Sequence, residues 1–248
     1  MDRFFSASAH ASSQNVLIDD PDELHHLKQV LRLKIGDEVQ LVNGKGLLVY
    51  GTLIDASKQK AVFKATSFMN APPRQAPLIV LACALPKKAK FEMILEKATE
   101  LGVDEIIPMV TERTEVIVNK ETGIRKEQRF SKVIVNACKQ SKRLWFPELH
   151  PVMPFEDVIK TFNGDSNALF IPWLKGDRRH IREAFEEGFD RKMARIVFLI
   201  GPEGDFTFEE VNFAVKAGAK PLDLGETILK VDTAAVAVVS YAKFRLGR

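Results

Sequence analysis

The sequence predicts an α/β protein in which a small β domain precedes a mostly parallel sheet with helices on both faces. Two hairpin patterns fall within residues 1–70, and a proline-rich segment follows at 71–77. From 78 to 248, apolar strands alternate with amphipathic helices, which is typical of a parallel sheet covered by helices. We therefore expect a compact β-barrel over 1–70, a linker over 71–77 and an α/β domain over 78–248.

Composition limits the classes of protein to which the chain can belong. Of its 248 residues, 46% are hydrophobic and 28% are charged, as in ordinary globular proteins. Charges interrupt the longest apolar runs, so we expect no membrane span, and the amino terminus lacks the pattern of a signal peptide. Cys83 and Cys138 are too few for a disulfide framework or a zinc site. We expect buried thiols, no metal and a cytoplasmic location.

The amino-terminal part has two hairpin signals and one short helix. Segments 39–42 and 47–50 flank Asn43-Gly44, a strong hairpin turn pattern. Segments 52–54 and 61–65 flank a polar loop and predict a second hairpin. A short helix is expected from Pro21, with one apolar face formed by Leu24, Leu27, Val30 and Leu31.

The carboxyl-terminal part reads as strands and helices in alternation. The linker ends at Pro77, and an apolar strand follows directly. The predicted strands are 78–85, 105–110, 168–171 and 196–200, and the predicted helices are 90–101, 125–142, 155–162 and 177–188.

Two glycine turns follow strand 196–200 and a further short strand predicted from Leu222, and each precedes a helix. The first turn is 201–205, after which Thr207 and Glu210 have capping-box spacing. The second lies in 222–230, and the last helix begins near Val231. Turns at the carboxyl ends of neighbouring parallel strands are where open α/β sheets bind ligands. Neither turn has the spacing of a dinucleotide fingerprint or a P-loop, so the glycines alone indicate only strand-to-helix turns.

The residue sequences of these turns and of three other segments resemble those of a known family. Gly-Pro-Glu-Gly at 201–204 and Leu-Gly-x-x-Ile-Leu-Lys at 224–230 resemble the knotted SPOUT methyltransferases, and are most similar to the 16S rRNA uridine N3-methyltransferases. Segment 90–103 matches the family's most recognisable helix. Glu-Arg-Thr at 112–114 and Gln-Ser-Lys-Arg at 140–143 match its other motifs.

The resemblance implies a fold, a reaction and partners. The carboxyl-terminal domain is expected to contain a deep trefoil knot that binds S-adenosylmethionine, and the amino-terminal barrel is expected to be PUA-like and to handle RNA. The implied reaction is methylation of uridine N3 in 16S ribosomal RNA of the small ribosomal subunit, at uridine 1498 in the usual numbering of that RNA. The implied assembly is a homodimer formed through the knot domain.

The resemblance also carries residue roles onto this sequence. Arg113 and Arg143 are expected to stabilise negative charge on the uracil, since an arginine cannot serve as the general base. A surface arginine paired with Glu112 or Glu115 is the plainer interpretation of Arg113. The expected substrate-binding residues are Lys28, Arg32, Lys88, Arg113, Gln140, Ser141 and Arg143. The expected cofactor-binding residues are Pro172, Leu199, Gly201, Glu203, Gly204, Leu224, Gly225, Ile228, Leu229 and Thr233.

Some roles stay open on this reasoning. Glu203 and Asp232 are possible bases, but Glu203 equally shapes its loop and Asp232 suits a helix cap, which is the role that we favour. The general base is left unassigned. His25 and His26 are adjacent on a helix and so make a poor two-point metal site. We interpret them as surface or RNA-facing residues.

Four positions depart from the family pattern and keep alternative functions open. Thr227 and Lys230 stand where arginines are usual, Asp232 replaces a glutamate, and Asn136 stands where an acidic residue is common. Lysine keeps the charge of arginine but loses its planar fork. The alternatives are a knotted methyltransferase acting on another rRNA or tRNA nucleotide, and an RNA-binding assembly factor without catalytic activity.

Overall fold

The computed structural model divides the chain into two compact units. The first unit comprises Met1–Arg74 and Val135–Phe146, and the second comprises Gln75–Ile134 and Pro147–Arg248. Each unit has a sheet of its own, one of five strands and one of eight. The structure describes residues 1–87, 90–116, 120–190 and 192–247.

The division differs in one respect from the expected domain limits. The chain passes from the first unit to the second between Arg74 and Gln75, inside the expected linker 71–77. Within the expected domain 78–248, Val135–Phe146 packs with the first unit. Periodicity along a helix shows which face is apolar, but not which partner covers that face.

The first unit is built on a mixed sheet with strand order β1-β3-β4-β5-β2. β1 pairs with β3 in parallel, and the other neighbours are antiparallel. A buried cluster that includes Phe4, Leu41 and Phe63 forms its core. The elements are β1 Arg3–Phe5, β2 Asn15–Ile18, α1 Pro21–His25, a π-helical turn His26–Val30, β3 Glu38–Val42, β4 Leu47–Ala56 and β5 Ala61–Asn70.

Both predicted hairpins are confirmed, by the pairings β3–β4 and β4–β5. In the first turn, the Asn43 side-chain oxygen accepts hydrogen bonds from the amides of Lys45 (2.8 Å) and Leu47 (3.2 Å). Gly44 has φ +72°, a backbone conformation that is strained for a residue with a side chain. The asparagine and the glycine therefore hold the turn by different means.

One residue of the predicted apolar helix face is placed wrongly. Leu24 and Leu27 are buried as expected, but Val30 is 57% exposed. The helix that starts at Pro21 becomes a π-helical turn at His26. A π turn has more residues per turn than an α-helix, so the apolar face shifts and Val30 turns outward.

The second unit is an α/β layer structure with strand order β11-β13-β10-β12-β6-β7-β8, and β9 also pairs with β7. Every pairing in this sheet is parallel. The elements are β6 Leu78–Ala84, α2 Lys90–Leu101, β7 Glu105–Val110, α3 Lys120–Gln140 (whose last residues belong to the first unit), β8 Glu148–Leu149, β9 Met153–Pro154, α4 Phe155–Phe162, β10 Asn167–Pro172, β11 Arg179–His180, α5 Ile181–Gly188, β12 Arg195–Ile200, α6 Phe208–Lys216, β13 Lys220–Asp223 and α7 Val231–Leu246.

Helices cover both faces of this sheet, as predicted. Leu169 and Val197 belong to a buried cluster that includes residues of α4 and α6. Phe170, next along β10, stacks on Phe185 of α5 with ring centroids 5.4 Å apart, and Phe185 meets Tyr241 of α7. Successive residues of a strand point to opposite faces, so the two clusters lie on opposite sides of the sheet.

The two cysteines are buried free thiols, as composition predicted. Burial raises the pKa of both thiols, to about 12 for Cys138. They are therefore protonated at neutral pH and poor nucleophiles. None of the described helices is long and apolar enough to span a membrane.

A charged cluster joins the amino ends of two strands in the second unit. Glu105, at the start of β7, is 3% exposed and accepts from Arg195 Nε at 2.7 Å and from His150 Nε2 at 3.0 Å. Burial raises the pKa of the Glu105 carboxyl, but the hydrogen bonds from His150 and Arg195 outweigh burial, so the net shift is downward. The ionised carboxylate therefore stabilises the fold.

We expect Glu105→Gln to lower the free energy of unfolding by about 2 kcal/mol near neutral pH, since it breaks a largely buried ion pair whose arginine is partly exposed. A carboxyl with a depressed folded-state pKa stabilises the protein above its unfolded pKa, and this contribution is lost as the pH falls through the folded value. The difference in unfolding free energy between the variant and the wild type, measured by urea titration, should therefore become smaller below about pH 4.5. Glu148→Gln removes an exposed neighbouring carboxylate and is the matched control. A gap that does not change with pH would contradict this assignment.

Candidate active site

A cavity of about 480 Å³ lies where three parallel strands of the second unit end. β10 lies between β12 and β13 in the sheet, and all three run in the same direction. Their carboxyl ends lead into Trp173, Gly201 and Leu224, which all line the cavity. The cavity thus lies at the edge of the sheet where ligands of open α/β proteins bind.

The first turn is fixed by its own sequence, as predicted. Thr207 Oγ1 accepts from the Glu210 amide at 3.2 Å, and the Glu210 carboxylate accepts from the Thr207 amide at 2.9 Å, which completes the capping box at the start of α6. Phe206 and Val211 are both buried, in the positions of a hydrophobic staple. A Cβ on Gly201 would lie 3.0 Å from the Phe206 ring, so the turn closes tightly over this ring.

Two contacts from another loop hold the same turn. Glu210 uses its other oxygen, Oε1, to accept from the Glu112 amide at 2.8 Å. Arg113 Nη1 donates to the carbonyl of Gly204 at 2.7 Å and to that of Phe206 at 3.4 Å. Arg113 is therefore more than a surface arginine: its guanidinium binds the backbone of the loop that lines the cavity. Glu115, its alternative partner, pairs with Lys87 at 2.7 Å.

The second turn depends on a backbone conformation that favours glycine. Gly225 has φ +116°, outside the range that L side chains readily adopt. Asp223 Oδ1 accepts from the Gly225 amide at 3.1 Å and holds the turn. Ile228, further along this loop, lines the cavity and is 77% exposed. This loop therefore presents apolar surface to the cavity.

The charges around the cavity sum to one excess negative charge among the described lining residues. Four carboxylates face three cationic side chains, and one pair, Arg178 Nε and Asp223 Oδ2, is 3.9 Å apart. The apolar part of the wall includes Pro172, Leu224 and Leu229. The charged lining residues are Glu203, Asp205, Asp223, Glu226, Lys90, Arg178 and Lys230.

Most of the predicted cofactor residues line this cavity, and three do not. Leu199 is fully buried in the core that faces α4 and α6. Gly204 lies against Arg113, and Thr233 is exposed on α7. The predicted residues that line the cavity are Pro172, Gly201, Glu203, Leu224, Gly225, Ile228 and Leu229.

Several lining residues were missed by sequence reasoning. Asp205 and Asp223 belong to the predicted turns, so proximity in sequence was a usable signal for them. Lys90 begins the motif helix α2 and Arg178 lies in the loop after β10, and sequence reasoning assigned no cofactor-binding role to either. The Trp173 ring nitrogen is buried without a hydrogen-bond partner in the described structure. A buried donor of this kind at a cavity wall suits a ligand acceptor.

The predicted cap of the last helix is wrong. Lys230 occupies the N-cap position of α7 and makes no side-chain capping bond. Asp232 lies inside the first turn, and its Oδ1 is buried with no partner in the part of the chain that the structure describes. The helix starts at Val231, two residues before the start that an Asp232 cap requires.

The second predicted arginine and its motif belong to the first unit. α3 ends at Gln140, and Lys142 adopts the left-handed conformation with φ +59°. The Arg143 amide donates to the carbonyl of Cys138 (3.0 Å), and the Lys142 amide to that of Lys139 (3.4 Å), as in a Schellman motif. The Gln-Ser-Lys-Arg motif thus terminates α3.

Of the remaining predicted substrate residues, those that the structure describes lie in the first unit. Lys28 and Arg32 lie in the first unit, where Lys28 Nζ contacts the carbonyl of Ser57 and Arg32 is exposed with φ +54°. Ser141 Oγ donates to the carbonyl of Ala137 at 2.6 Å. Lys88 lies outside the described residues.

One group of side chains in the described structure has metal-ligand spacing. Glu105, Glu148 and His150 have ligand atoms within 4.8 Å of one another. Arg195 already occupies Glu105 Oε1 at 2.7 Å, and its positive charge opposes a cation there. The group lies at the amino ends of the strands, opposite the cavity.

Comparison with known proteins identifies the family. An RNA methyltransferase domain family matches residues 74–243, and an RNA methyltransferase PUA domain family matches 18–66. This chain belongs to the RNA methyltransferase family. The resemblance to SPOUT enzymes of the 16S rRNA group and the predicted PUA-like domain are thereby confirmed. The trefoil knot itself stays a prediction.

Individual relatives match the chain over most of its length. It is 30% identical to ribosomal RNA small subunit methyltransferase E of Synechocystis, over 86% of this chain and 67% of the relative, and 25% identical to the protein of that name in Rickettsia conorii, over 97% and 94%. A structure of ribosomal RNA small subunit methyltransferase E from Neisseria gonorrhoeae bound to S-adenosyl methionine has 25% identity and a TM-score of 0.87, covering 99% of this chain and 98% of that one. A Legionella pneumophila structure with bound SAM has 27% identity and a TM-score of 0.86, over 98% and 97%.

We expect Gly225→Ala to weaken the binding of S-adenosylmethionine about tenfold, because a Cβ strains the turn that forms one wall of the cavity. Gly218→Ala is the matched control: Gly218 has φ +93° and open space around it, but lies outside the cavity. Isothermal titration calorimetry on the folded variants measures the difference. Equal affinities of the two variants would contradict the role given to the second turn.

Proposed function

We propose that this chain transfers a methyl group from S-adenosylmethionine to N3 of a uridine in 16S ribosomal RNA, with uridine 1498 as the target. One observation carries the proposal: the turns at Gly201 and Gly225, distant in sequence, line one cavity. Its volume is in the usual range for small-ligand sites, about 300–1,000 Å³. The relatives named as rRNA methyltransferases, one of them solved with the cofactor, support the same reaction.

The lining of the cavity fits the proposed cofactor. Leu224, Ile228, Leu229 and Pro172 offer apolar walls for adenine, and the glycine turns leave backbone groups near the ligand. The excess negative charge of the wall complements a positively charged sulfonium. S-adenosylmethionine supplies a methyl group that its sulfonium already activates.

The reaction requires residues that accept the proton of uracil N3 and stabilise the resulting negative charge. Uracil N3 carries a proton at neutral pH, and the ring becomes an anion when this proton leaves. Arg113 is the proposed group that stabilises the anion: Nη1 is fixed on the Gly204 carbonyl, which sets the guanidinium beside the cavity loop. Glu203 has Oε1 held by the Lys87 amide at 3.1 Å, and its other oxygen can accept the proton.

The first unit supplies the proposed RNA-binding residues. Arg143, Gln140 and Ser141 end α3, and Lys28 and Arg32 belong to the PUA-like domain. Arginine and lysine side chains bind phosphate, which supplies most of the affinity of proteins for RNA. We propose that these residues bind the rRNA around the target uridine, in the cytoplasm where ribosomal subunits are assembled.

We also propose that the protein is a homodimer through its second unit. Val238 and Ala242 of α7 are buried, whereas Val236 and Tyr241 are half-buried and Phe244 is 73% exposed. Apolar surface on more than one side of a helix is typical of a helix that also packs against a partner. A second copy of the chain is the partner that the resemblance to the family implies.

A methyl-transfer assay tests the reaction. Small ribosomal subunits that lack the modification are incubated with the protein and S-adenosylmethionine, and mass spectrometry should detect N3-methyluridine. We expect Arg113→Ala to lower the rate about 100-fold through loss of charge stabilisation. Arg129→Ala, an exposed arginine paired with Glu92, is the control and should leave the rate unchanged. Failure of the wild type to form N3-methyluridine, with cofactor binding intact, would refute the proposed reaction.

Light scattering coupled to size exclusion tests the proposed dimer. The wild type should have twice the chain mass of 27.9 kDa, and Phe244→Asp should yield the monomer, because a charge in an apolar interface is costly. Phe68→Asp, at an exposed phenylalanine of the first unit, should remain dimeric. A monomeric wild type at micromolar concentration would overturn the proposal.

A further inference from the structure

A second cleft, separate from the cavity, lies entirely within the first unit. Its volume is about 460 Å³, and its lining comes from the start of β1, from α1 with the turn after it, and from the last two turns of α3. Of its lining residues, only Gln140 has been proposed above to bind RNA, and no ligand has been assigned to the cleft as a whole. Its lining residues on α3 are Asn136, Lys139 and Gln140.

The floor of this cleft is a fixed polar framework. Glu23 has a side chain 6% exposed; Oε1 contacts Lys139 Nζ, and Oε2 accepts from the Phe5 amide at 3.3 Å. This ion pair joins the end of α3 to α1. Arg3 donates from Nε and Nη2 to the Gln40 side-chain oxygen at 3.1 and 2.7 Å. Hydrogen bonds and an ion pair therefore hold the framework before any ligand binds.

One donor of this framework lacks an acceptor. Arg3 Nη1 is buried and has no hydrogen-bond partner in the described structure. Burial lowers the pKa of Arg3, yet a guanidinium keeps its charge at neutral pH. A buried donor without an acceptor is unfavourable, so a ligand that brings an oxygen or ring nitrogen into the cleft satisfies it.

The rim of the cleft offers mixed donors and acceptors rather than net charge. Asn136 and Gln140 are exposed and four residues apart, so their amides lie on one face of α3. His25 and His26 line the cleft from α1 and from the turn after it. The charges of Arg3 and Lys139 are balanced by Glu23 and Asp22, so with neutral histidines the cleft has no net charge. A phosphate therefore has little reason to prefer this cleft.

We propose that this cleft binds one unpaired nucleobase of the RNA substrate, at a distance from the base that is methylated. The edge of a nucleobase alternates donors and acceptors, which side-chain amides match with paired hydrogen bonds. Imidazole rings are among the groups on which unpaired bases stack. The inference rests on the proposed RNA substrate, and it gives the PUA-like domain a site for a base of single-stranded RNA.

The test measures the affinity of protein variants for two RNA probes, one with bases and one without. The probes are a ten-nucleotide single strand of mixed adenosine and cytidine, which lacks the target base, and the same backbone without bases. The double variant Asn136→Ala with Gln140→Ala changes two exposed helical residues to alanine, a good helix former, so the fold should be kept. Gln128→Ala, at an exposed glutamine on the same helix, is the matched control.

The expected result is a coupling between the two changes. The wild type and Gln128→Ala should bind the intact strand more tightly than the strand without bases. In the double variant, the ratio of the two affinities should be about tenfold smaller. S-adenosylmethionine affinity should be equal in all three proteins. Equal weakening of both probes would assign the cleft to the RNA backbone and overturn the inference. An undiminished preference in the double variant would overturn it as well.

The outcome also separates this inference from the proposed function. If the wild type methylates rRNA but the double variant keeps the full preference for bases, the inference alone fails. If the wild type binds the cofactor but neither methylates nor binds RNA, the proposed function fails and the inference fails with it.

Discussion

The parallel placement of β10 between β12 and β13 is the constraint on which the site depends. These strands end at residues 172, 200 and 223, so their turns are distant along the chain. Parallel pairing brings the three carboxyl ends to one edge, where loop residues can share one cavity. Had β13 paired antiparallel to β10, Gly225 would lie at the opposite edge from Gly201.

Local ties then fix the shape of that cavity. Glu210 uses one carboxylate oxygen for the Thr207 amide and the other for the Glu112 amide, so one side chain caps α6 and anchors a loop from elsewhere in the sheet. Arg113, next along this loop, binds the carbonyl of Gly204. A site held in this way loses little conformational entropy on binding, which favours precise alignment of the reacting atoms.

Much of the architecture followed from sequence pattern. The apolar runs gave β6, β7, β10 and β12 within a residue or two, and capping-box spacing gave the start of α6, because these signals depend on neighbours along the chain. Sequence patterns gave the wrong placement where a residue's packing partner lies far away in the sequence. The π turn turned Val30 outward, and the end of α3 joined the first unit, since neither event depends on local propensity.

The sequence by itself determined the elements, the two turns and, through its motifs, the family. The tertiary structure alone decided which side chains meet. It placed Lys90 and Arg178 at the cavity, fixed Leu199 in the core instead, and set Arg113 against the Gly204 carbonyl. The physical reason is that secondary structure follows from interactions a few residues apart, whereas a site is assembled from strand order and packing between segments far apart in the chain.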